Sequence, residues 1–248
     1  MEVIRVTYKP LTLLNWTRNV VKKVPDRWEE ASAADLMAIS RYQCQYTSNS
    51  RFISEFIGIP PRITRFVSEF ELWSIAQHVK LLETYDALDT MMIPKIKAGK
   101  LLLTAPRHRL KGVTFGDFIF FDNYYTDFAY GDRNALDKMI AYLYSCDRDM
   151  TTDEICSQLA IADHATKYAI YINYRMVREW IALRYTYVFV KDKPKKKTGA
   201  KRQNWLPVLD SIIADDLANS EKYEQLPMHT VLRMLNNKIK EGYKRGKL

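Results

Sequence analysis

The sequence predicts a mainly α fold, with a single helical core domain containing short β elements, then a basic linker and a small C-terminal helical unit. Apolar residues recur at spacings of three and four along most of the chain, which is the period of an amphipathic helix. Hydrophobic residues make up 47% of the 248 residues and charged residues 27%, as in ordinary globular proteins. A lysine-rich interval separates a long helical region from a short one. We therefore expect a body over residues 1–190, a linker over 191–203 and a C-terminal unit over 204–248.

The N-terminal region is predicted to be one strand followed by helices. Val3–Tyr8 is rich in β-branched residues, which favours a short strand, although no partner strand is evident. Ser32 and Ser50 stand where helix N-caps are expected, and Gly58 ends the second of these helices. A third helical pattern runs from Thr64 and places four apolar residues on one face, which we expect to lie in the core: Phe66, Phe70, Trp73 and Ala76.

The middle of the chain alternates helices with one connector. Leu101–Thr104 predicts a short strand in the connector, and Thr114 and Thr152 are expected at helix starts. The longest pattern, Ala165–Ala182, lacks Gly and Pro and has a wide apolar face, which predicts a central, buried helix. Tyr185–Val190 is expected to follow it as a strand. Further core positions are expected at Leu136, Ile140, Ile172 and Val177.

The amino-acid composition of about the last 60 residues predicts a linker followed by short helices. The linker is dense in cations and has almost no apolar residue to bury. Its basic residues are Lys191, Lys193, Lys195, Lys196, Lys197, Lys201 and Arg202. Beyond it, about 45 residues form short amphipathic helices that make a marginal fold alone. We therefore expect their apolar residues to bind a protein partner: Trp205, Leu209, Ile212, Leu232 and Leu235.

The positive charge of the chain is concentrated at two places. The formal net charge is +9, and residues 191–203 together with residues 238–248 carry more than all of it. The rest of the chain is close to neutral, so composition does not predict a basic face across the fold. Nucleic-acid association through the lysine-rich linker and the tail is the alternative function that this distribution leaves open.

Catalytic, metal and cofactor motifs are not recognisable in the sequence. It has no glycine-rich phosphate loop, no nucleophile elbow and no zinc-ligand spacing among its four histidines. Asp163 and His164 are better interpreted as a helix N-terminus than as ligands. We expect no enzymatic activity, no cofactor, no metal and no small-molecule substrate. The three cysteines are expected to be reduced, and no signal peptide or membrane segment is expected.

Aromatic residues are the one unusual feature of the composition. The chain has 16 tyrosines, and a dense cluster comprises Phe115, Phe118, Phe120, Phe121, Tyr124, Tyr125, Phe128 and Tyr130. One interpretation is a thick core with tyrosine hydroxyls at the surface, and the other is a protein interface, where these residue types are enriched. Base stacking beside Arg107, His108 and Arg109 is a third interpretation, without an RNA-binding signature to support it.

Several segments resemble proteins encoded among the virion and tail genes of Bacteroidetes phages. The segments are Leu110–Ile119, Ala135–Tyr144, Tyr168–Trp180, Trp205–Ala214 and Glu224–Leu235. The resemblance is a pattern of helices and brings no site residues with it. It implies a non-enzymatic morphogenesis protein of a tailed bacteriophage, either a neck or tail component (a portal-proximal ring or connector) or a tail-assembly factor. The implied partners are other virion proteins and copies of the chain itself, and the implied location is the virion or the host cytoplasm.

Overall fold

A computed structural model describes residues 1–10, 17–146, 150–189, 205–213 and 220–245. Helices account for 58% of the described residues and strands for 13%, so the mainly α fold class is confirmed. The chain divides into two compact units. The first comprises Met1–Leu88 with Asp163–Met176, and the second comprises Asp89–Ala162 with Val177–Leu248.

The elements of the described residues run along the chain as follows. The strands are β1 (Glu2–Tyr8), β2 (Arg18–Val24), β3 (Lys95–Ala98), β4 (Leu101–Thr104) and β5 (Ser145–Cys146). The α-helices are α1 (Ala33–Gln43), α2 (Asn49–Phe52), α3 (Pro61–Thr64), α4 (Glu69–Gln77), α5 (Phe115–Ala129), α6 (Ala135–Leu143), α7 (Thr152–Leu159), α8 (His164–Arg184), α9 (Leu206–Ile213), α10 (Ser220–Glu224) and α11 (Met228–Lys244). A π-helical turn, Ile53–Ile57, continues α2.

The first unit begins with an antiparallel hairpin. β1 and β2 pair along their whole length, so the predicted first strand has the partner that sequence analysis did not find. Ile4 and Val6 of β1 and Val24 of β2 point into the core. The opposite face of the hairpin, which includes Val3 and Val21, is exposed, as the period-two alternation of strand side chains requires.

The helices of the first unit have the capping residues that set their starts. The Ser32 side chain accepts a hydrogen bond from the Asp35 backbone N–H and the Asp35 carboxylate accepts one in return, which is a capping box. The second helix is capped by Ser48 rather than by Ser50. The π-helical turn after it ends at Gly58, whose φ of 73° lies in the left-handed region that suits glycine.

Helix α4 starts later than predicted and buries a different set of residues. It spans Glu69–Gln77, whereas the sequence pattern starts at Thr64, and it buries Leu72 and Ala76. Ala76 lies in the core as predicted, but Phe66, Phe70 and Trp73 are 39%, 74% and 49% exposed, so their predicted place in the core is wrong. Two apolar faces compete on this short helix, and the face with the smaller side chains is the one that packs inward. Of the other expected core residues, Leu136, Ile140, Ile172 and Val177 are all buried.

The second unit combines a small sheet with helices. β4 lies between β3 and β5 in an antiparallel sheet, which confirms the predicted strand at Leu101–Thr104. Thr114 caps α5 as expected, whereas α7 is capped by Thr151, one residue before the predicted position. The predicted strand at Tyr185–Val190 is wrong for its described residues, which form turns after α8.

The C-terminal helices belong to the second unit. The Phe115 backbone N–H donates to the Leu226 carbonyl at 2.8 Å, and the Met228 N–H donates to the Val113 carbonyl at 3.1 Å. The segment before α11 is thus bonded to the start of α5. Residues 205–245 are grouped with residues 89–162, rather than as the C-terminal unit of their own that the sequence predicts at 204–248. The predicted linker, 191–203, lies outside the described residues.

Candidate functional site

Trp205, the first of the predicted partner-binding residues, lies inside the second unit. Its side chain is 2% exposed and packs against Phe118 and Phe115, with ring centroids at 5.0 and 6.4 Å. Its indole N–H donates to the Asp122 carboxylate at 2.7 Å. The Arg178 guanidinium donates to the same carboxylate, with its Nε 2.6 Å from Oδ1. Trp205 therefore completes a buried polar cluster and is not an exposed anchor.

The other four predicted partner-binding residues fall into two groups. Leu209 and Leu232 are buried. Ile212 and Leu235 are half-buried and line an apolar groove of about 550 Å³ together with Met234. The amphipathic patterns of α9 and α11 thus serve mainly to bury these helices in the second unit. Only the groove retains the accessible apolar character that the sequence analysis assigned to the whole set.

An exposed aromatic surface lies on the first unit instead. We call Phe66, Phe70 and Trp73 the aromatic patch. The rings of Phe70 and Trp73 lie side by side, with centroids 5.9 Å apart, and the Arg65 guanidinium lies 4.7 Å from the centre of the Phe66 ring. All three aromatic residues are exposed. Sequence analysis predicted these residues on one helical face in the core, whereas Phe66 lies in the turn before α4 and Phe70 and Trp73 lie on the exposed side of α4.

The aromatic cluster of α5 divides between the inside of the second unit and its surface. Phe115, Phe118 and Phe121 are buried, whereas Phe120 and Tyr130 are exposed. This division agrees with the predicted core with tyrosines at its surface. It does not make α5 a continuous exposed interface.

A basic cleft of about 620 Å³ lies in the second unit. The residues that line it are His108, Arg109, Lys111, Trp180, Arg184, Tyr185, His229, Thr230, Arg233 and Asn236. Of the three basic residues beside which base stacking was considered, His108 and Arg109 line the cleft and Arg107 does not. Trp180 lies among the cations, with the guanidinium carbons of Arg109 and Arg184 each 5.7 Å from its ring centre.

A hydrogen-bond network fixes the floor of the basic cleft. Arg109 has a left-handed backbone with φ 61°, and its N–H donates to the Asp89 carbonyl at 2.7 Å. Its side-chain Nε donates to the Asp89 carboxylate at 3.0 Å. His229 Nε2 lies 2.7 Å from the Arg109 carbonyl and its Nδ1 lies 2.9 Å from the Tyr185 hydroxyl. A carbonyl only accepts, so Nε2 carries the proton of His229.

The segments of the basic cleft are far apart in the chain, which explains why sequence analysis missed the site. Arg184 ends α8 and Arg233 lies in the second turn of α11. Each is an ordinary basic residue on a helix when considered alone. The only available signal was the group Arg107, His108 and Arg109, which was noted for its charge.

The residues considered for metal or nucleophilic chemistry have structural contacts. The Asp163 carboxylate accepts from the Thr166 backbone N–H at 3.1 Å, which confirms that Asp163 and His164 mark a helix start. Over the described ranges of the chain, no group of three His, Cys, Asp or Glu side chains is placed to hold a metal ion. Burial raises the pKa of the Cys44 thiol, which disfavours the reactive thiolate.

No family model, curated protein or solved structure matches this chain. In the part of the chain that the structure describes, no helix is both long enough and apolar enough to cross a membrane.

Proposed function

We propose that the protein is a non-enzymatic structural or morphogenesis protein of a tailed bacteriophage, acting through protein–protein contacts. The resemblance of its helical segments to phage virion and tail proteins supports the phage setting. The single observation that carries the contact function is the aromatic patch. The partners that fit this role are neighbouring virion proteins and further copies of the chain, in a neck or tail ring or in a tail-assembly complex.

The aromatic patch has the composition of a binding hot spot. Aromatic residues supply large contact areas, and Trp is among the residue types most enriched where interface substitutions cost most. Phe70 projects almost entirely into water at 74% exposure. An adjacent, exposed Phe–Trp pair of this kind gains free energy when a partner removes it from water.

Helix α4, which carries Phe70 and Trp73 of the patch, is held in place at its first turn and on its buried side, which lowers the entropic cost of binding. Ser68 and Glu71 form a capping box that fixes the first turn of α4. Leu72 and Ala76 anchor the opposite side of the helix in the core of the first unit. Because the backbone is already ordered, a partner has only to restrict the side chains of Phe70 and Trp73.

The proposal is tested by replacing both exposed rings in the full-length chain. Phe70→Ser with Trp73→Ser should leave the circular dichroism spectrum unchanged and abolish incorporation into virions or assembly intermediates. Incorporation is measured by mass spectrometry of purified particles. The matched control is Tyr130→Ser, which removes an exposed aromatic ring from the second unit. Absence of the wild-type chain from both particles and intermediates would refute the function, and normal incorporation of the double variant would refute the role of the patch.

The alternative of nucleic-acid association through the lysine-rich linker and the tail rests on the distribution of charge. The linker residues Lys191 to Arg202 lie outside the described residues, whereas Lys240 and Lys244 of the tail lie on α11. The described residues also carry the basic cleft in the second unit, and its geometry supports a separate inference.

A further inference from the structure

The basic cleft brings together cations that no local run of sequence contains. Lys111 follows the turn that holds Arg109, Arg184 ends α8, and Arg233 lies on α11. Four full positive charges therefore line one cavity, in a chain whose sequence outside the linker and tail is close to neutral. Like charges repel, so such a group is stable mainly where water or an anion lies between its members.

Little of this charge is neutralised by the protein. Asp89 lies 3.0 Å from Arg109 Nε and 3.3 Å from His108 Nε2. Within the described ranges, Lys111, Arg184 and Arg233 form no ion pair. The cleft therefore presents a net positive charge and several guanidinium and ammonium donors to whatever enters it. Arginine in particular matches phosphate with two parallel hydrogen bonds.

The hydrogen-bond network assigns separate roles to the cleft residues. His229 uses Nε2 on the Arg109 carbonyl and Nδ1 on the Tyr185 hydroxyl, so it positions the wall and has no ring nitrogen left for a ligand. The Trp180 ring already lies near two guanidinium groups, so we assign it no base-stacking role. The ligand contacts are consequently the charged groups of Lys111, Arg184 and Arg233, with Arg109 beside them.

The positive surface continues along α11. Arg233, Lys240 and Lys244 are separated by seven and four residues, so they lie on one face of this 17-residue helix. Asn236 lies on the same face, and the Lys240 ammonium lies 5.9 Å from the Tyr187 ring centre. At about 1.5 Å per residue, the row from Arg233 to Lys244 is about 16 Å long. It begins in the cleft and extends beyond it.

The length of the row of basic residues indicates which kind of anion can contact all of it. A free phosphate fills only the cleft and leaves Lys240 and Lys244 without a role. Measured along the axis of a double helix, each strand rises about 3.4 Å per phosphate, so a row of about 16 Å spans on the order of five phosphate steps of a duplex. A regular backbone of this kind can contact the cleft and the row together. Acidic peptides have no such fixed charge spacing.

We propose that the basic cleft and the basic face of α11 form one binding surface for the sugar-phosphate backbone of a nucleic acid. Arg184 and Arg233 contact phosphates in the cleft, and Lys240 and Lys244 contact the following ones. Because the contacts are to phosphates, binding is independent of base sequence and weakens steeply with salt. This surface includes Lys240 and Lys244 of the basic tail but none of the lysine-rich linker, and the inference does not depend on the phage setting or on the aromatic patch.

The test removes cleft charge without changing the rest of the chain. The full-length protein is titrated against a fluorescent 20-base-pair DNA duplex and the corresponding single strand, by anisotropy at several salt concentrations. The double variant Arg184→Gln with Arg233→Gln should lose about tenfold or more in affinity, and its slope of log K against log salt should shrink by about 1.8. The matched control, Arg62→Gln with Arg133→Gln, removes the same charge at exposed sites elsewhere and should change affinity less than about twofold.

Three outcomes would overturn the inference. Equal losses in the cleft variant and the control would mean that net charge alone binds DNA. Wild-type affinity in the cleft variant would assign binding to other cations, for which a triple Lys195→Gln, Lys196→Gln and Lys197→Gln variant serves as comparison. Displacement of DNA by inorganic phosphate or by polyglutamate at matched charge concentration would identify a small-anion or acidic-peptide site. Absence of the protein from virions would contradict the proposed function and leave this result standing.

Discussion

Local sequence patterns predict the contacts of some individual residues and not of others. The sequence predicts Trp205 as a partner-binding residue because the short C-terminal helices make only a marginal fold alone. Its indole instead bonds Asp122, 83 residues earlier in the chain. The sequence around Trp205 contains nothing that points to this carboxylate, because the contact is created by tertiary packing. Helix caps are the opposite case. Ser32 and Thr114 were identified correctly because their hydrogen-bond partners lie three residues away.

Tyr144 illustrates a buried polar group whose contribution depends on pH. Its hydroxyl donates to the Ile93 carbonyl at 2.7 Å, and burial raises the pKa of the phenol. A raised pKa in the folded state means that the stabilisation is complete below the unfolded value, near pH 10, and is lost as pH rises above it. The cause is that the unfolded chain releases the phenolic proton first.

We therefore expect Tyr144→Phe to show two effects. At pH 8 the lost hydrogen bond should lower the free energy of unfolding by about 1 to 2 kcal/mol. At pH 10.5 the difference from wild type should be smaller, because only the wild type still has this tyrosine to ionise. Urea unfolding at both pH values measures the change. A difference that stays constant between them would show that Tyr144 ionises equally in the folded and unfolded states.

The presence of helices was predicted better than which face of each helix is buried. Sequence periodicity predicted a helix in the region of α4, although from Thr64 rather than from Glu69, and it placed Phe70 and Trp73 on one side, yet that side is exposed. Phe70 and Trp73 form one apolar face, and Leu72 and Ala76 form another. Periodicity shows that a helix has a face, but it does not decide which of two apolar faces meets the core. The volume available around the helix decides, and that volume is set by distant elements.

Helix α8 has one dominant apolar face, so its sequence pattern predicts which of its residues are buried. Ile172 is 1% exposed, so Ile172→Ala should lower the free energy of unfolding by about 2 to 4 kcal/mol through lost burial and a residual cavity. Leu183→Ala on the same helix is the matched control. Leu183 is 59% exposed, and its replacement should change stability by less than about 0.5 kcal/mol. Chemical denaturation measures both, and similar losses in the two variants would contradict the assigned face.

The division of the chain into compact units depends on long-range contacts that local sequence patterns do not predict. A composition boundary at the lysine-rich segment suggested one body and one appendage. The compact units are instead assembled from separated stretches, and helix α8 contributes its first part to one unit and its last part to the other. The basic cleft depends on the same long-range assembly, since its cations come from residues 108–111, from α8 and from α11. Local patterns could not bring these segments together.

Removing residues 204–248 distinguishes a C-terminal appendage from C-terminal helices that are packed into the second unit. If these residues were an appendage, α5 and α6 would keep their protection from amide hydrogen exchange. In the structure, Trp205, Met228 and Leu232 are buried, and the Leu226 carbonyl accepts the hydrogen bond from the Phe115 N–H. Their removal exposes the start of α5 and the rings packed on Trp205 to water.

We therefore expect the truncated chain, residues 1–203, to lose exchange protection over Phe115–Leu143, while Ala33–Gln43 in the first unit retains it. Hydrogen exchange of both chains, read by mass spectrometry of their peptides, measures this directly. Trp205→Ala in the full chain is the milder companion, and it should weaken protection in the same α5 peptides because it removes the indole that bonds Asp122. Full protection of α5 and α6 in the truncated chain would contradict the grouping of the C-terminal helices with the second unit.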